Sequence, residues 1–378
     1  MDPQQIQGLR DQLRSARRVV IKVGSQVLCK PDGTLDAAVL VALCRDLARL
    51  LDEGREVLLV SSGAVASGRG SFSDRDPPSL GKQALAAIGQ PLLMARYRQL
   101  FEAHGRHVAQ ILLTHADLGD RSRFLHARRV MAELMAAGIL PIVNENDTVA
   151  VEELKFGDND ALAAQVAHVV SADAVVLLTE VDGLYTADPR LDPHAVLLPC
   201  VGHDDETVLA MAGLGTSQFG TGGMRSKVLA ARKAGSVGVL AAIAHGKKPG
   251  NLLELLAGKP VGTIFAPATR RLTGKRSWIA TSVRPRGTVH VDAGAAQALR
   301  EGGRSLLPIG VVRIEGAFQV GDPVQVCDPH GDIVGRGLTR YDSEDAIRAA
   351  GRRTEQISRD LGWLPVELIH RDDFVRTR

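Results

Sequence analysis

The feature that most constrains this chain is an alternation. Short runs of Val, Ile, Leu and Ala at 18–23, 56–60, 108–113, 140–143, 174–178 and 237–242 are separated by longer segments of helical spacing at 35–51, 122–137, 160–170 and 224–234. A strand that is apolar along its whole length is buried on both faces, and consecutive parallel strands need a crossover of about a dozen residues or more, usually a helix. The pattern therefore predicts an α/β fold, a mostly parallel sheet sandwiched by helices, with a short amphipathic helix over 6–17 leading in. After Pro267 the texture changes. Short strand runs at 288–292, 309–315, 323–327 and 333–337 follow one another with Gly and Asp turns between them, interrupted by a helical stretch at 345–353. This reads as an α/β domain over 1–268, a linker over 269–283 and a smaller β-rich domain over 284–378.

A chain of 378 residues is long enough for two domains. Its formal charge of +3 implies no strongly charged partner. In residues 284–378 the arginines are matched by as many Asp and Glu, a poor electrostatic footprint for nucleic acid, so RNA is not expected as a main partner. Cys29, Cys44, Cys200 and Cys327 form no C-x-x-C pair and no disulfide framework, which suits a reducing cytoplasm. No apolar run reaches the ~18 residues of a membrane helix, and the Arg- and Asp-bearing N-terminus has no signal-peptide core. The expectation is a cytoplasmic protein without a membrane partner.

The chemistry sits where the apolar runs end. In open α/β sheets ligands bind beyond the carboxyl ends of the strands. Lys22 lies inside the first run, where a buried ammonium needs an anionic partner or must snorkel to the sheet end. The second run closes in Ser61-Ser62-Gly63-Ala64, small residues that permit close backbone approach and equally suit a plain tight turn. The run at 140–143 opens onto the acidic, Asn-rich stretch Asn144–Asp160, which reads either as a solvated loop or as a ligand-facing strand end. Gly220-Thr-Gly-Gly-Met-Arg-Ser-Lys227 feeds the last helix of the domain. A glycine-rich loop entering a helix offers free N–H groups and a positive dipole end to a polyphosphate, although alone it serves more often as a connector. G-x-x-x-x-G-K-[ST] and G-x-G-x-x-G are both absent, and His370-Arg-Asp372 has no downstream D-F-G.

Taken in order, Val-Ile-Lys-Val-Gly-Ser25, Ser-Ser-Gly-Ala64, Lys-Gln-Ala-Leu-Ala-Ala-Ile-Gly-Gln90, Asn-Glu-Asn-Asp147, Lys-Phe-Gly-Asp-Asn-Asp160, Gly-Leu-Tyr-Thr-Ala-Asp-Pro-Arg190 and Gly-Thr-Gly-Gly-Met-Arg-Ser-Lys227 closely resemble the glutamate 5-kinase family of the amino acid kinase superfamily. The tail, with Gly-Arg-Ser-Leu-Leu-Pro-Ile-Gly310 and Ser-Arg-Asp-Leu-Gly362, resembles a PUA domain. The resemblance spans essentially the whole chain. It implies ATP-dependent phosphorylation of the γ-carboxylate of L-glutamate to L-glutamyl 5-phosphate, the first step of proline biosynthesis, with ATP and Mg²⁺.

Carried over by position, the resemblance gives Lys22 and Lys227 the charge of the transferring phosphoryl group. Ser62, Asp147 and Asn159 hold glutamate, with Gly63 and Asn144 nearby. Asp158 and Asp160 orient the lysines and, through water, the metal, with no residue singled out as its direct ligand. Thr179, Glu180 and Thr221, Gly222, Gly223, Met224, Arg225, Ser226 and Lys227 hold ATP, together with Lys22. Lys155, in the same stretch, receives no assigned role. The sequence departs from the family pattern at Gln26, Glu180 and Ser226, where a small hydroxyl residue, Asp and Thr are usual. The family also implies a homo-oligomer (dimer or tetramer), feedback by proline and hand-off of the labile acyl phosphate to glutamyl-phosphate reductase. Another carboxylate kinase of the superfamily is the nearest alternative, and an RNA-binding protein a more distant one.

Overall fold

The computed structural model describes residues 1–72, 79–150, 158–213, 223–268, 274–360 and 365–376. It divides into two compact units, Met1–Arg271 and Leu272–Arg378. In the first, the strands are β1 (Arg18–Val23), β2 (Glu56–Ser61), β3 (Val108–Leu113), β4 (Leu140–Glu145), β5 (Ala174–Thr179), β6 (Cys200–Val201), β7 (Leu240–His245) and β8 (Thr263–Phe265). The helices are α1 (Pro3–Ser15), α2 (Ser25–Leu28), α3 (Ala37–Asp52), α4 (Ala64–Gly70), α5 (Lys82–Glu102), α6 (His115–Gly119), α7 (Arg121–Ala136), α8 (Asp158–Val169), α9 (Val208–Met211), α10 (Met224–Ser236) and α11 (Asn251–Leu256).

The sheet order is β3-β4-β2-β1-β5-β7-β8-β6, and every neighbouring pair is parallel except β7 with β8. β2, β4 and β3 lie to one side of β1, and β5, β7, β8 and β6 to the other. The chain thus changes direction across β1, so the crevice beyond its carboxyl end is the topological switch point where α/β sheets bind ligands. Alternate residues of β1, Val19, Ile21 and Val23, pack into one core with Leu13 of α1, Leu47 of α3, Phe101 of α5 and Leu255 of α11. Leu47 is fully buried, a burial that favours folding by roughly 1.5–3 kcal/mol. The period of two puts Val20 and Lys22 on the opposite face, which α7, α8 and α10 cover.

One predicted strand is displaced. The run at 237–242 reads as a strand, whereas β7 begins at Leu240. Val237 and Val239 belong to the end of α10: Val239 N–H bonds the Ala234 carbonyl, Gly238 takes φ +81°, and both valines are buried. A helix stop of this kind buries apolar residues just past a left-handed glycine, and so imitates the start of a strand. β6 and β8 are too short to show as periodic runs.

The second unit holds α12 (Gly274–Thr281), β9 (Gly287–Val291), α13 (Ala293–Glu301), β10 (Val311–Gly316), β11 (Pro323–Cys327), β12 (Ile333–Leu338), α14 (Ser343–Ala349), α15 (Thr354–Asp360) and β13 (Phe374–Arg376). Its mixed sheet runs β10-β9-β11-β12-β13 over a core that includes Val289, Val326, Tyr341 and Phe374. α12 occupies most of the stretch that reads as a linker, because Trp278 and Ile279 are buried there. The helix expected at 345–353 ends at Ala349, and Gly351 turns the chain with φ +74°. Among the described residues no helix is long and apolar enough to cross a membrane.

Candidate active site

Lys22 is the penultimate residue of β1, registered between Val60 of β2 and Leu177 of β5, and is almost fully buried. Its anionic partner is Asp160, on the first turn of α8, with Lys22 Nζ 2.5 Å from Oδ1. The other carboxylate oxygen faces Lys227, on the first turn of α10, with Nζ–Oδ2 at 3.2 Å. Ser226 Oγ lies 2.6 Å from the same Oδ2 and 2.8 Å from the Gly223 carbonyl. Two buried ammonium groups therefore share one buried carboxylate, and the positive ends of two helices point at the same place. Such a cluster has cationic character left over and suits an anion.

The protonation states follow from the surroundings. Burial alone pushes the Asp160 carboxyl up, but Lys22, Lys227 and the hydrogen bonds outweigh it and hold the group at about 2. Burial, and after it Lys22, pull the Lys227 ammonium down, while Asp160 opposes both. Asp160 is thus the group that opposes the loss of the Lys227 proton in a dry site, and it is also the counter-charge of Lys22. Gly24 follows β1 with its α-carbon beside Lys22, and a side chain there would stand 3.1 Å from Nζ.

A second cluster adjoins the first. Asn159, next to Asp160 on α8, donates through Nδ2 to Ser62 Oγ at 2.7 Å and to Asn144 Oδ1 at 3.0 Å. Asn144, at the end of β4, is buried and also accepts from the Glu145 N–H at 2.9 Å. Ser62 follows β2, and Gly63 turns the chain into α4 with φ +114°, a left-handed conformation that favours glycine. That turn is braced by a close crossing of α4 and α5: a Cβ on Gly89 would fall 1.8 Å from the Ala64 carbonyl oxygen.

Of the other expected residues, Asp147 lies half-buried in the turn after β4. Thr179 ends β5, buried, paired with His245 of β7. The Glu180 carboxylate is taken by Lys247 at 2.5 Å, and Lys248 meets Asp182 at 2.5 Å, so two ion pairs tie the segment after β5 to that after β7. Neither lysine stands out in the sequence. Gly223 caps α10, Met224 is half-buried and Arg225 exposed. Asp158 opens α8. Thr221, Gly222 and Lys155 lie outside the described residues. Gln90 hydrogen-bonds Asn144, a role that no local sequence signal marks.

A mostly parallel sheet whose switch point carries a buried Lys–Asp–Lys cluster beside an amide pocket fits an α/β protein that handles an anionic group. The amino acid kinase family profile matches residues 17–244, and the PUA domain profile residues 287–361. The chain is 47% identical to glutamate 5-kinase of Trichlorobacter lovleyi over 97% of its length and 98% of that protein's. It is 48% identical to glutamate 5-kinase of Myxococcus xanthus, covering 96% and 97%, and 47% identical to that of Thermus thermophilus, covering 95% and 96%. Among solved structures it is similar to UMP kinase from Bacillus anthracis (TM-score 0.47, 18% identity), covering 68% of this chain and 99% of that one. The chain belongs to the amino acid kinase family, on its glutamate 5-kinase branch, and carries a PUA domain.

Proposed function

We propose that this kinase transfers the γ-phosphoryl group of ATP to the γ-carboxylate of L-glutamate, forming L-glutamyl 5-phosphate and ADP, the first step of proline biosynthesis. The observation that carries the reading is the pair of buried ammonium groups held by Asp160 one residue away from the amide pocket around Asn159. Glutamate's γ-carboxyl, with a reference pKa of ~4.3, is already ionised at neutral pH and needs no general base. The obstacle is an anion approaching a polyanion in line, and phosphoryl transfer is catalysed mainly by positioning and charge neutralisation. One carboxylate oxygen forms a bond to phosphorus as the bond to the ADP oxygen breaks. Lys22 and Lys227 neutralise the charge on the transferring group, and N–H groups at the start of α10 fix phosphate oxygens. Ser62, Asn144, Asp147 and Asn159 hold glutamate, and Asp147 faces its ammonium.

Thr179, Glu180 and residues 221–227 hold the nucleotide. Asp158 and Asp160 would hold, through water, the Mg²⁺ that accompanies the phosphates, and the ion would supply further positive charge there. The chemistry resides in residues 1–268, and the module that follows takes in α12 from the stretch that reads as a linker. A homo-oligomer, proline feedback and hand-off to a reductase complete the proposal, with the cytoplasm as its compartment. A coupled ADP-release assay comparing glutamate, aspartate and carbamate as acceptors tests it. Glutamate is expected to dominate, and turnover of either rival above glutamate would overturn the assignment.

A further inference from the structure

Gln90 is nearly fully buried on α5, away from the phosphoryl-transfer cluster, and its Oε1 accepts a hydrogen bond from Asn144 Nδ2 at 2.9 Å. The direction of that bond follows from a group that has only one polarity. The Glu145 main-chain N–H can only donate, and it donates to the Asn144 side-chain oxygen. That oxygen therefore faces Asn159 as an acceptor, so the atom Asn159 turns towards it must be its amide nitrogen. The remaining face of Asn144 is its NH₂ group, which needs a buried acceptor, and Gln90 supplies it. Both N–H bonds of Asn159 are then used, on Asn144 and Ser62. Its Oδ1 is left buried with no hydrogen-bond partner among the described residues.

An open buried acceptor calls for a donor from a ligand. Glutamate at neutral pH has one kind of donor, its α-ammonium, because both carboxylates are ionised acceptors. The Ser62 hydroxyl already accepts from Asn159, and its own proton is available to a substrate carboxylate. We infer that Gln90 is a positioning residue for substrate specificity: it holds the Asn144 amide in one orientation, and through it fixes the Asn159 carbonyl as an acceptor, beside Asp147, for the substrate's ammonium. The inference rests on the assignment of the amide pocket to the amino-acid substrate.

Steady-state kinetics of the full-length protein test it with Gln90→Met, which keeps the shape and removes the acceptor, and Gln90→Glu, which keeps an acceptor. Q90M should raise KM for glutamate by roughly tenfold, with kcat and KM for ATP moved by less than about twofold. The preference for glutamate over glutarate, which lacks the ammonium, should fall by a similar factor. Q90E should recover the KM and the preference. A glutamate KM in Q90M like that of the wild type would overturn the inference, as would a Q90E as impaired as Q90M. A general structural defect would move KM for ATP and kcat together and leave the glutamate-to-glutarate ratio alone, and that result also overturns it. Should Q90M fail to fold, Q90E still decides, since it must retain KM and preference. Wild-type protein with no glutamate turnover refutes the activity reading, whereas turnover with an unmoved Q90M KM refutes the role of Gln90 alone.

Discussion

Replacing Asp160 by Asn tests the centre of the site. The substitution keeps the shape of the side chain but leaves Lys22 and Lys227, which flank it at 2.5 and 3.2 Å, without their shared counter-charge. In the folded protein the Asp160 carboxyl falls from 3.8 to about 2, and the residue is 1% exposed. A depression of that size corresponds to stability of about 2 kcal/mol. Because the folded value lies below the unfolded one, this contribution is present above pH 3.8 and is lost as pH falls through about 2. The wild type should therefore lose stability across that window, and D160N should lack this step. Catalysis suffers more. Without Asp160 the remaining influences on Lys227, burial and Lys22, both drive its proton off. Breaking a buried ion pair by removing one partner should cost about 3–5 kcal/mol of stability. Separately, a Lys227 without its proton no longer neutralises phosphoryl charge, so kcat at neutral pH should fall by at least about 10²-fold. The alkaline limb of the kcat–pH profile should also move to lower pH. Stopped assays from about pH 5.5 to 9.5, with urea melts from about pH 5 to 2, check both halves. A D160N enzyme whose kcat falls while its alkaline limb stays in place would refute the idea that Asp160 keeps Lys227 charged.

Lys227→Ala should lower kcat on the order of 10²-fold or more with little change in KM for glutamate, and Asp147→Ala should do the reverse; equal effects on kcat alone would undo the assignment of the two residues to phosphoryl group and substrate. Gly89→Ala should destabilise the first unit by roughly 3 kcal/mol or more, read as a lowered urea midpoint, because its Cβ would meet the Ala64 carbonyl oxygen at 1.8 Å and the Gly68 nitrogen at 2.3 Å. Ser226→Ala, which removes a hydroxyl 2.6 Å from Asp160, should cost about 1 kcal/mol and reduce kcat modestly, whereas Ser226→Thr should be near neutral; a Thr variant as impaired as Ala would show that the hydroxyl is not what matters.

Much of the sheet was legible because burial on two faces leaves an unbroken apolar run. β1 and β3 were predicted at their observed limits, and β2, β4 and β5 within two residues. The failures have local causes: the run at 237–242 mixed a helix stop with a strand start, and residues 274–281 looked polar although they bury Trp278 and Ile279. In the site, the requirement that Lys22 have an anionic partner was readable from its apolar neighbours. Which carboxylate would meet it was not readable from the residues alone, since Asp147, Asp158 and Asp160 share one stretch. The choice falls on Asp160 because it sits on the turn of α8 that faces β1 and α10, a relation set by the crossover and not by local sequence. The Gln90–Asn144–Asn159–Ser62 chain draws on α5, β4, α8 and the end of β2, and the orientation of its amides depends on a main-chain N–H with no sequence signature.

The two halves of the site meet in consecutive residues. On an α-helix neighbouring side chains diverge by about 100°, so Asn159 reaches into the amide pocket while Asp160 turns to the lysines. The spacing between bound amino acid and phosphoryl group is therefore set within one turn of α8 and not by a flexible loop. That turn is held from several sides, by Lys22 on β1, by Ser226 and Lys227 on α10, and by Ser62 and Asn144 at the ends of β2 and β4. Reacting atoms must approach to roughly 3–3.5 Å in line, and a small displacement is costly. A rigid α8 start makes both contacts move together. Packing changes under this turn, for example at Ala163, fully buried one turn further along α8, should thus raise KM for glutamate and lower kcat in the same variant, unlike changes in either pocket alone.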